Sequence, residues 1–439
     1  MPILIISLGI LTLLLMIMVF RINAFIAFIL VSLGVGAAQG MEMNSIVQAI
    51  EKGMGDTLGF LIMILGLGAM LGKIVAESGA AQQITTKLIA VFGEKNTRWA
   101  VMLTGFIVGI TMFYSVGFVI LVPLVFAVGL TTGLPLVSVA LPMLASLSVT
   151  HGFLPPHPAP SAIAIMFNAD MGKTLMYGFL VAIPSILISG NLILPFLKKV
   201  EAKPLKEFIV HKKFNPDELP GAGISIFSAL LPVLLIGLST VITEFIFTEG
   251  SSWYSFFLFI GNPVIALLIS VIIAIFTLGI ARGKKMEEIM NSAANSIMGI
   301  TMVLLIIAGA GGLKQVLVSS GVSEYIGNLM ASSTLSPLFL GWLIATLVRV
   351  SVGSATVAGL TTAGIVLPVV QNGSVSPELM VLAIGSGSIM LSHVNDSGFW
   401  LFKEYFNLSV KDTLSTWTIM ETSIGLSGLA GVMILDIWI

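Results

Sequence analysis

Ser392-His393-Val394-Asn395-Asp396-Ser397-Gly398-Phe399-Trp400 sets a histidine, an asparagine and an aspartate between the apolar run Leu379 to Leu391 and a further amphipathic stretch. Ionisable groups at membrane depth cost roughly 2.5–3.5 kcal/mol each on insertion scales, and those kept there mark substrate or ion paths. A matching polar break, Thr150-His151-Gly152-Phe153-Leu154-Pro155-Pro156-His157-Pro158, lies about 240 residues earlier. One such interruption in each half predicts a transporter whose binding site lies between repeats.

The composition agrees with immersion in lipid. Only 9% of the 439 residues are charged, against about 25% in soluble domains, and the mean hydropathy is +1.08. This is the profile of one integral domain whose main partner is the lipid bilayer. A net charge of -1 gives no argument for nucleic acid as a partner. The chain has no cysteine, which removes disulfides and thiolate metal sites. No Walker motif is present, so ATP is not a direct energy source, and no cofactor is implied. Met1 to Phe20 lacks a basic leading region and a small-residue cleavage site, and is expected to stay as a first helix.

A span needs about 20 largely apolar residues. Clear candidates are 2–20, 22–40, 57–76, 99–113, 222–247, 261–281, 296–318 and 412–437; less regular ones are 115–131, 136–149, 173–197, 337–350, 352–370 and 377–391. The pieces 154–168 and 396–407 are too short or polar to cross alone. They are expected to be re-entrant or broken-helix elements surrounded by protein or a wet cavity. The fold class expected is an all-α polytopic membrane protein of roughly 12 spans, with two inverted-topology repeats. Lys198 to Gly221 is the main hydrophilic interruption and carries Lys198, Lys199, Lys203, Lys206, Lys212 and Lys213, which places that loop in the cytoplasm. Walking outward from it sends 22–40 outward and its partner 261–281 inward. Residues 1–21 are then an extra N-terminal span, 22–200 the first repeat, 201–260 a basic loop with a connecting span, and 261–439 the second repeat.

Local matches support the repeat. Phe167-Asn168 followed by Met171, Thr174 and Leu175 recurs at identical spacing as Phe406-Asn407 followed by Val410, Thr413 and Leu414. Gly68-Ala69 with Lys73, Val75 and Ser78 recurs as Gly309-Ala310 with Lys314, Val316 and Ser319. Lys73 and Lys314 themselves are expected near span ends.

Four polar elements are candidates for the site, each with a structural alternative. Arg349-Val350-Ser351-Val352-Gly353-Ser354-Ala355-Thr356 interrupts an apolar run. A half-helix N-terminus there would offer amides and a positive dipole end, and with Arg349 would suit a carboxylate. Alternatively Arg349 snorkels and the small residues permit close packing. Ser351, Ser354 and Thr356 offer neutral hydrogen bonds, and Gly353 a close backbone approach. Ser392, His393, Asn395 and Asp396 either read hydroxyls and relay a proton, or cap a helix through Asp396. Thr150, His151 and His157 stand among prolines that break the helix; the imidazoles either titrate near neutral pH or bond freed carbonyls. Ser115, in Phe113-Tyr114-Ser115-Val116-Gly117, is the first-half partner of the 350–356 break. The proton-coupling candidates are Asp396, His393, His151 and His157.

Together the 150–158, 349–358 and 392–400 motifs resemble the gluconate:proton symporter (gluconate permease) family over essentially the full chain. The resemblance implies import of gluconate or a related small hydroxylated acid with protons across a bacterial cytoplasmic membrane. It also implies an elevator-like alternating-access mechanism and a homodimer. One position departs: many relatives carry an acidic residue where this chain has Ser115, which leaves the coupling group and the exact substrate open. Two other readings are carried forward. One is a sodium-coupled symporter of the same architecture, for organic anions or a hydroxy-amino acid such as D-serine. The other is a polytopic membrane enzyme built on His151, His157, His393 and Asp396.

Overall fold

The computed structural model of the protein describes residues 2–197, 200–202, 214–247, 250–321, 335–394 and 396–439. Most of the basic 198–213 segment, most of the 319–336 loop and Asn395 therefore lie outside the described residues, as does the side chain of Ser115. The described residues form helices and no strands. In the bilayer this follows from the backbone, because a helix satisfies its own amides and carbonyls where water is absent.

The first half runs α1 (Pro2–Met18), α2 (Ala24–Ala38), α3 (Met43–Glu77), α4 (Ala80–Phe92), α5 (Thr97–Gly109), α6 (Tyr114–Thr132), α7 (Leu136–Phe153), α8 (Pro158–Phe167) and α9 (Met171–Leu187). Two connecting helices follow, α10 (Ala222–Phe245) and α11 (Ser252–Gly261). The second half is α12 (Pro263–Ala274), α13 (Met286–Ser319), α14 (Pro337–Val352), α15 (Ala355–Gln371), α16 (Pro377–Ser388), α17 (Ser397–Tyr405) and α18 (Val410–Leu435).

The halves repeat element by element at an offset of about 240 residues: α2 with α12, α3 with α13, then α5 to α9 with α14 to α18. The long pair is 35 and 34 residues. The short helices α8 and α17 are each followed by an asparagine in the left-handed region, Asn168 at φ 55° and Asn407 at φ 49°, a conformation asparagine tolerates. Each last helix also contains a π-turn, Ile188–Leu192 after α9 and Leu414–Thr418 within α18.

The long helices α3 and α13 lie against each other at glycines: a Cβ on Gly311 would come within 2.6 Å of the Gly53 carbonyl oxygen. Small residues give such backbone approach inside membranes, where burial against lipid supplies no driving force. α3 starts earlier than the apolar run 57–76, because Lys52 and Asp56 pair one turn apart at 2.5 Å and extend its N-terminal end. It bends by 42° between Met43–Gly59 and Leu61–Glu77. Among the described residues six helices are long and apolar enough to cross a membrane, or seven with the bent α3 taken as one. The expected dozen is larger because several apolar helices, such as Thr97–Gly109 and Pro337–Val352, stop after 10–17 residues. Two helices fall outside the expected spans. α4 is polar along one side, with Gln82, Gln83 and Lys87, and α11 is only 10 residues long.

Candidate functional site

Breaks in the helices create the site. α5 ends at Gly109 and α6 begins at Tyr114; in the matching place α14 ends at Val352 and α15 begins at Ala355. The second break turns at Gly353, in the left-handed region at φ 79°, where glycine carries no steric cost. Each hairpin that follows, α7–α8 and α16–α17, breaks again near its middle. The arms cross at Gly152 and Gly385, where a Cβ on Gly385 would collide with the Gly152 carbonyl oxygen.

Histidines tie these breaks down. His157, buried ahead of α8, donates from Nε2 to the Gly109 carbonyl oxygen at 2.7 Å. His393, ahead of α17, donates from Nε2 to Val350 O at 3.0 Å. In each half a histidine from the hairpin break satisfies a carbonyl left free at the end of the preceding helix. The two imidazoles thus take up the structural alternative that the sequence leaves open.

Arg349 is 4% exposed. Its Nη2 donates to Asp396 Oδ2 at 2.5 Å and its Nη1 to the Gly353 carbonyl oxygen, while Nε finds no partner among the described residues. Asp396 also accepts from the Ser392 hydroxyl and from the Gly398 amide at 3.1 Å, so it caps α17 while balancing Arg349. Trp417 Nε1 donates to Ser392 Oγ at 2.7 Å. One connected set of bonds therefore joins the 353 break, the 392–398 break and α18. Buried charge of this kind is tolerated when it is both paired and hydrogen-bonded.

These elements surround a cavity of about 570 Å³, within the range for small-molecule sites. One wall comes from the long helices, with Gly72 and Lys73 of α3 and Asn295 and Ser296 of α13. Facing it are the breaks: Tyr114, His151, Arg349, Asp396 and the run Gly353 to Thr356. Ser354 Oγ accepts from Val357 N at 3.3 Å. The amides of Ala355 and Thr356, in the first turn of α15, have no intrahelical acceptor by helix geometry and lie on the cavity wall. The Tyr114 hydroxyl and His151 Nδ1 are buried and make no hydrogen bond of acceptable geometry among the described residues. The two rings lie 6.1 Å apart, centroid to centroid.

Of the residues singled out in the sequence, Arg349, Gly353, Ser354, Thr356, His151 and Asp396 line this cavity. Thr150 is buried behind it and bonds back to Ser146 O at 3.0 Å. Ser351 donates to Leu347 O at 2.9 Å, and Ser392 stands behind Asp396; neither is part of the wall, nor are His157 and His393. Asn395 and the Ser115 side chain lie outside the described residues. Lys73, expected only near a span end, is on the wall with its ammonium held by Glu77 at 2.9 Å. Sequence reasoning passed over Ser148 and Glu421. Both line the cavity, and the Ser148 hydroxyl donates to Glu421 Oε1 at 2.5 Å. Among the described residues no group of three His, Asp or Glu converges that could hold a metal.

Apolar helices broken around a cavity that carries a few convergent polar groups, in two matching halves, are the architecture of a membrane permease. The chain belongs to the GntP permease family: it matches the description GntP family permease over residues 1–438. It is 49% identical over 437 residues to the high-affinity gluconate transporter of Escherichia coli (strain K12), with 99% of each chain covered. It is 50% identical over 436 residues to the Gnt-II system L-idonate transporter of the same strain, again with 99% of each covered. Its fold is similar to that of the Alcanivorax borkumensis YdaH transporter, with a TM-score of 0.68 at 16% identity, over 94% of this chain and 97% of that one.

Proposed function

We propose that this protein imports gluconate, or a related sugar acid such as L-idonate, by proton symport across the bacterial cytoplasmic membrane. The observation that carries this reading is the cavity. It combines the guanidinium of Arg349, the first turn of α15 with Ala355 and Thr356, and the Tyr114 hydroxyl and His151 nitrogen, which are buried and make no hydrogen bond of acceptable geometry among the described residues. A helix N-terminus favours a carboxylate, and neutral donors and acceptors suit the hydroxyls of a polyol chain. Relatives at 49% and 50% identity, named for gluconate and L-idonate, support the same substrate class.

In this reading Arg349 acts through Asp396 and is not a bare positive charge. The carboxylate of the substrate meets the α15 amides and the Gly353–Thr356 backbone, while Tyr114, His151 and Thr356 read hydroxyls. Residues 22–200 and 261–439 are inverted repeats, with 1–21 an added span and 201–260 the connection. The long helices α3 and α13 form a fixed wall against which the broken hairpins move in an elevator-like cycle. The transporter works as a homodimer.

The test is uptake of labelled gluconate and L-idonate into proteoliposomes with and without an acid-outside gradient. Saturable counterflow, and accumulation only with the gradient, are expected. No saturable uptake of any sugar acid defeats the substrate assignment, and accumulation that follows sodium at fixed pH defeats proton coupling.

A further inference from the structure

We infer that Glu421, held by Ser148, is the site where the coupled proton binds. This rests on the permease reading above and names the group that makes it a symporter.

Two carboxylates face the cavity, and their surroundings differ. Asp396 is fully engaged by the Arg349 guanidinium, the Ser392 hydroxyl and the Gly398 amide. Protonating it would strand a buried guanidinium, which the protein avoids. Glu421 is 2% exposed, yet among the described residues no cation pairs with it, and its carboxylate receives one hydrogen bond, from Ser148. A hydroxyl can donate to a carboxylate and, after rotation, accept from a carboxylic acid. Ser148 therefore serves both protonation states of Glu421 without any movement of the backbone.

The groups that face Glu421 across the cavity are Tyr114 of α6, His151 of α7, Arg349 at the end of α14 and Asp396 ahead of α17. Lys73 of α3 stands on the opposite wall, bound to Glu77. The other helices against α18, α9 and α16, place no titratable group on the cavity wall. Arg349 and Asp396 cancel, as do Lys73 and Glu77. An ionised Glu421 therefore leaves the chamber negative and repels an anion, and a protonated one leaves it neutral. Proton and anion each favour the other's binding, and linkage makes that preference reciprocal. One proton then accompanies each monovalent acid.

The experiment compares wild type with Glu421→Gln in proteoliposomes. If wild type gives no sugar-acid counterflow, the substrate reading fails and the inference falls with it. If wild type accumulates gluconate, E421Q is expected to lose gradient-driven accumulation by about tenfold or more, as a coupling free energy of ordinary size implies. Its counterflow should continue and no longer vary with pH. Accumulation and substrate-driven proton entry at wild-type levels in E421Q overturn the inference. So does the same decoupling in His151→Gln with E421Q still coupled. Should E421Q fail to fold, Ser148→Ala takes its place. Loss of the donor is expected to move the alkaline limb of the uptake profile to higher pH, and an unmoved profile overturns the inference.

Discussion

Arg349 and Asp396 were legible in the sequence because a charge inside an apolar run has to be explained, and lipid leaves few explanations. Their partnership was not legible, since they stand 47 residues apart and meet only when two helix breaks close on one point. The pair predicts an asymmetric response to mutation. Asp396→Ala strands a buried guanidinium and is expected to cost about 3–5 kcal/mol, read as a large drop in the unfolding temperature of the purified protein in detergent. The double variant with Arg349→Leu should recover much of that loss, because no unpaired charge remains. A double variant no more stable than Asp396→Ala would mean the pair is not the source. Glu421 carries the same signal, a charge inside an apolar run, and was passed over. It lies in the regular stretch 412–437, with no proline beside it to mark a break, and only packing reveals that its face of α18 turns toward Ser148.

Helix extents followed hydropathy closely in some elements: 222–247 was expected and Ala222–Phe245 is found, 337–350 and Pro337–Val352, whereas Met43–Glu77 and Met286–Ser319 begin well ahead of the expected 57–76 and 296–318 because their first turns are polar. The short α8 and α17 were legible from proline at the start of one and the capping aspartate of the other. α4 was missed because its polar side lowers mean hydropathy, although burial of Ala80, Ala81 and Ile84 gives it an apolar side. What hydropathy cannot display is how closely two backbones approach. Gly72 of α3 meets the break between α5 and α6, where a Cβ would lie 2.6 Å from the Thr111 carbonyl oxygen. This contact joins the proposed fixed wall to the break that leads through α6 into the hairpin α7–α8 proposed to move. Gly72→Val is therefore expected to slow counterflow about tenfold or more, since displacements of about 1 Å can cost 100-fold in a positioned site. Folded protein should remain, as judged by a monodisperse elution profile. Counterflow equal to wild type would remove the contact from the transport cycle.

On the scale of the whole molecule, the halves share an order of elements that survives where their sequences no longer match. Asn168 and Asn407 keep the same left-handed turn, and the histidine-to-carbonyl ties recur at Gly109 and Val350. The repeat was visible as short residue matches, but its full extent needed the helices themselves. The self-cancelling Arg349–Asp396 pair has an electrical consequence. A membrane potential does about 2.3 kcal/mol of work per elementary charge for each 100 mV, and a guanidinium that travels with its own counter-ion adds no charge for that field to pull. With one proton and one carboxylate moved per turnover, the complete cycle carries no net charge, because the ionised Glu421 of the empty carrier and the anion of the loaded one give both legs the same charge. Imposing a potassium diffusion potential with valinomycin should leave the steady level of gluconate accumulation unaltered at fixed acidity on both sides, and a higher level with an inside-negative potential would reveal an uncounted charge. A cell whose voltage has collapsed could still feed through such a carrier for as long as its surroundings stayed sour.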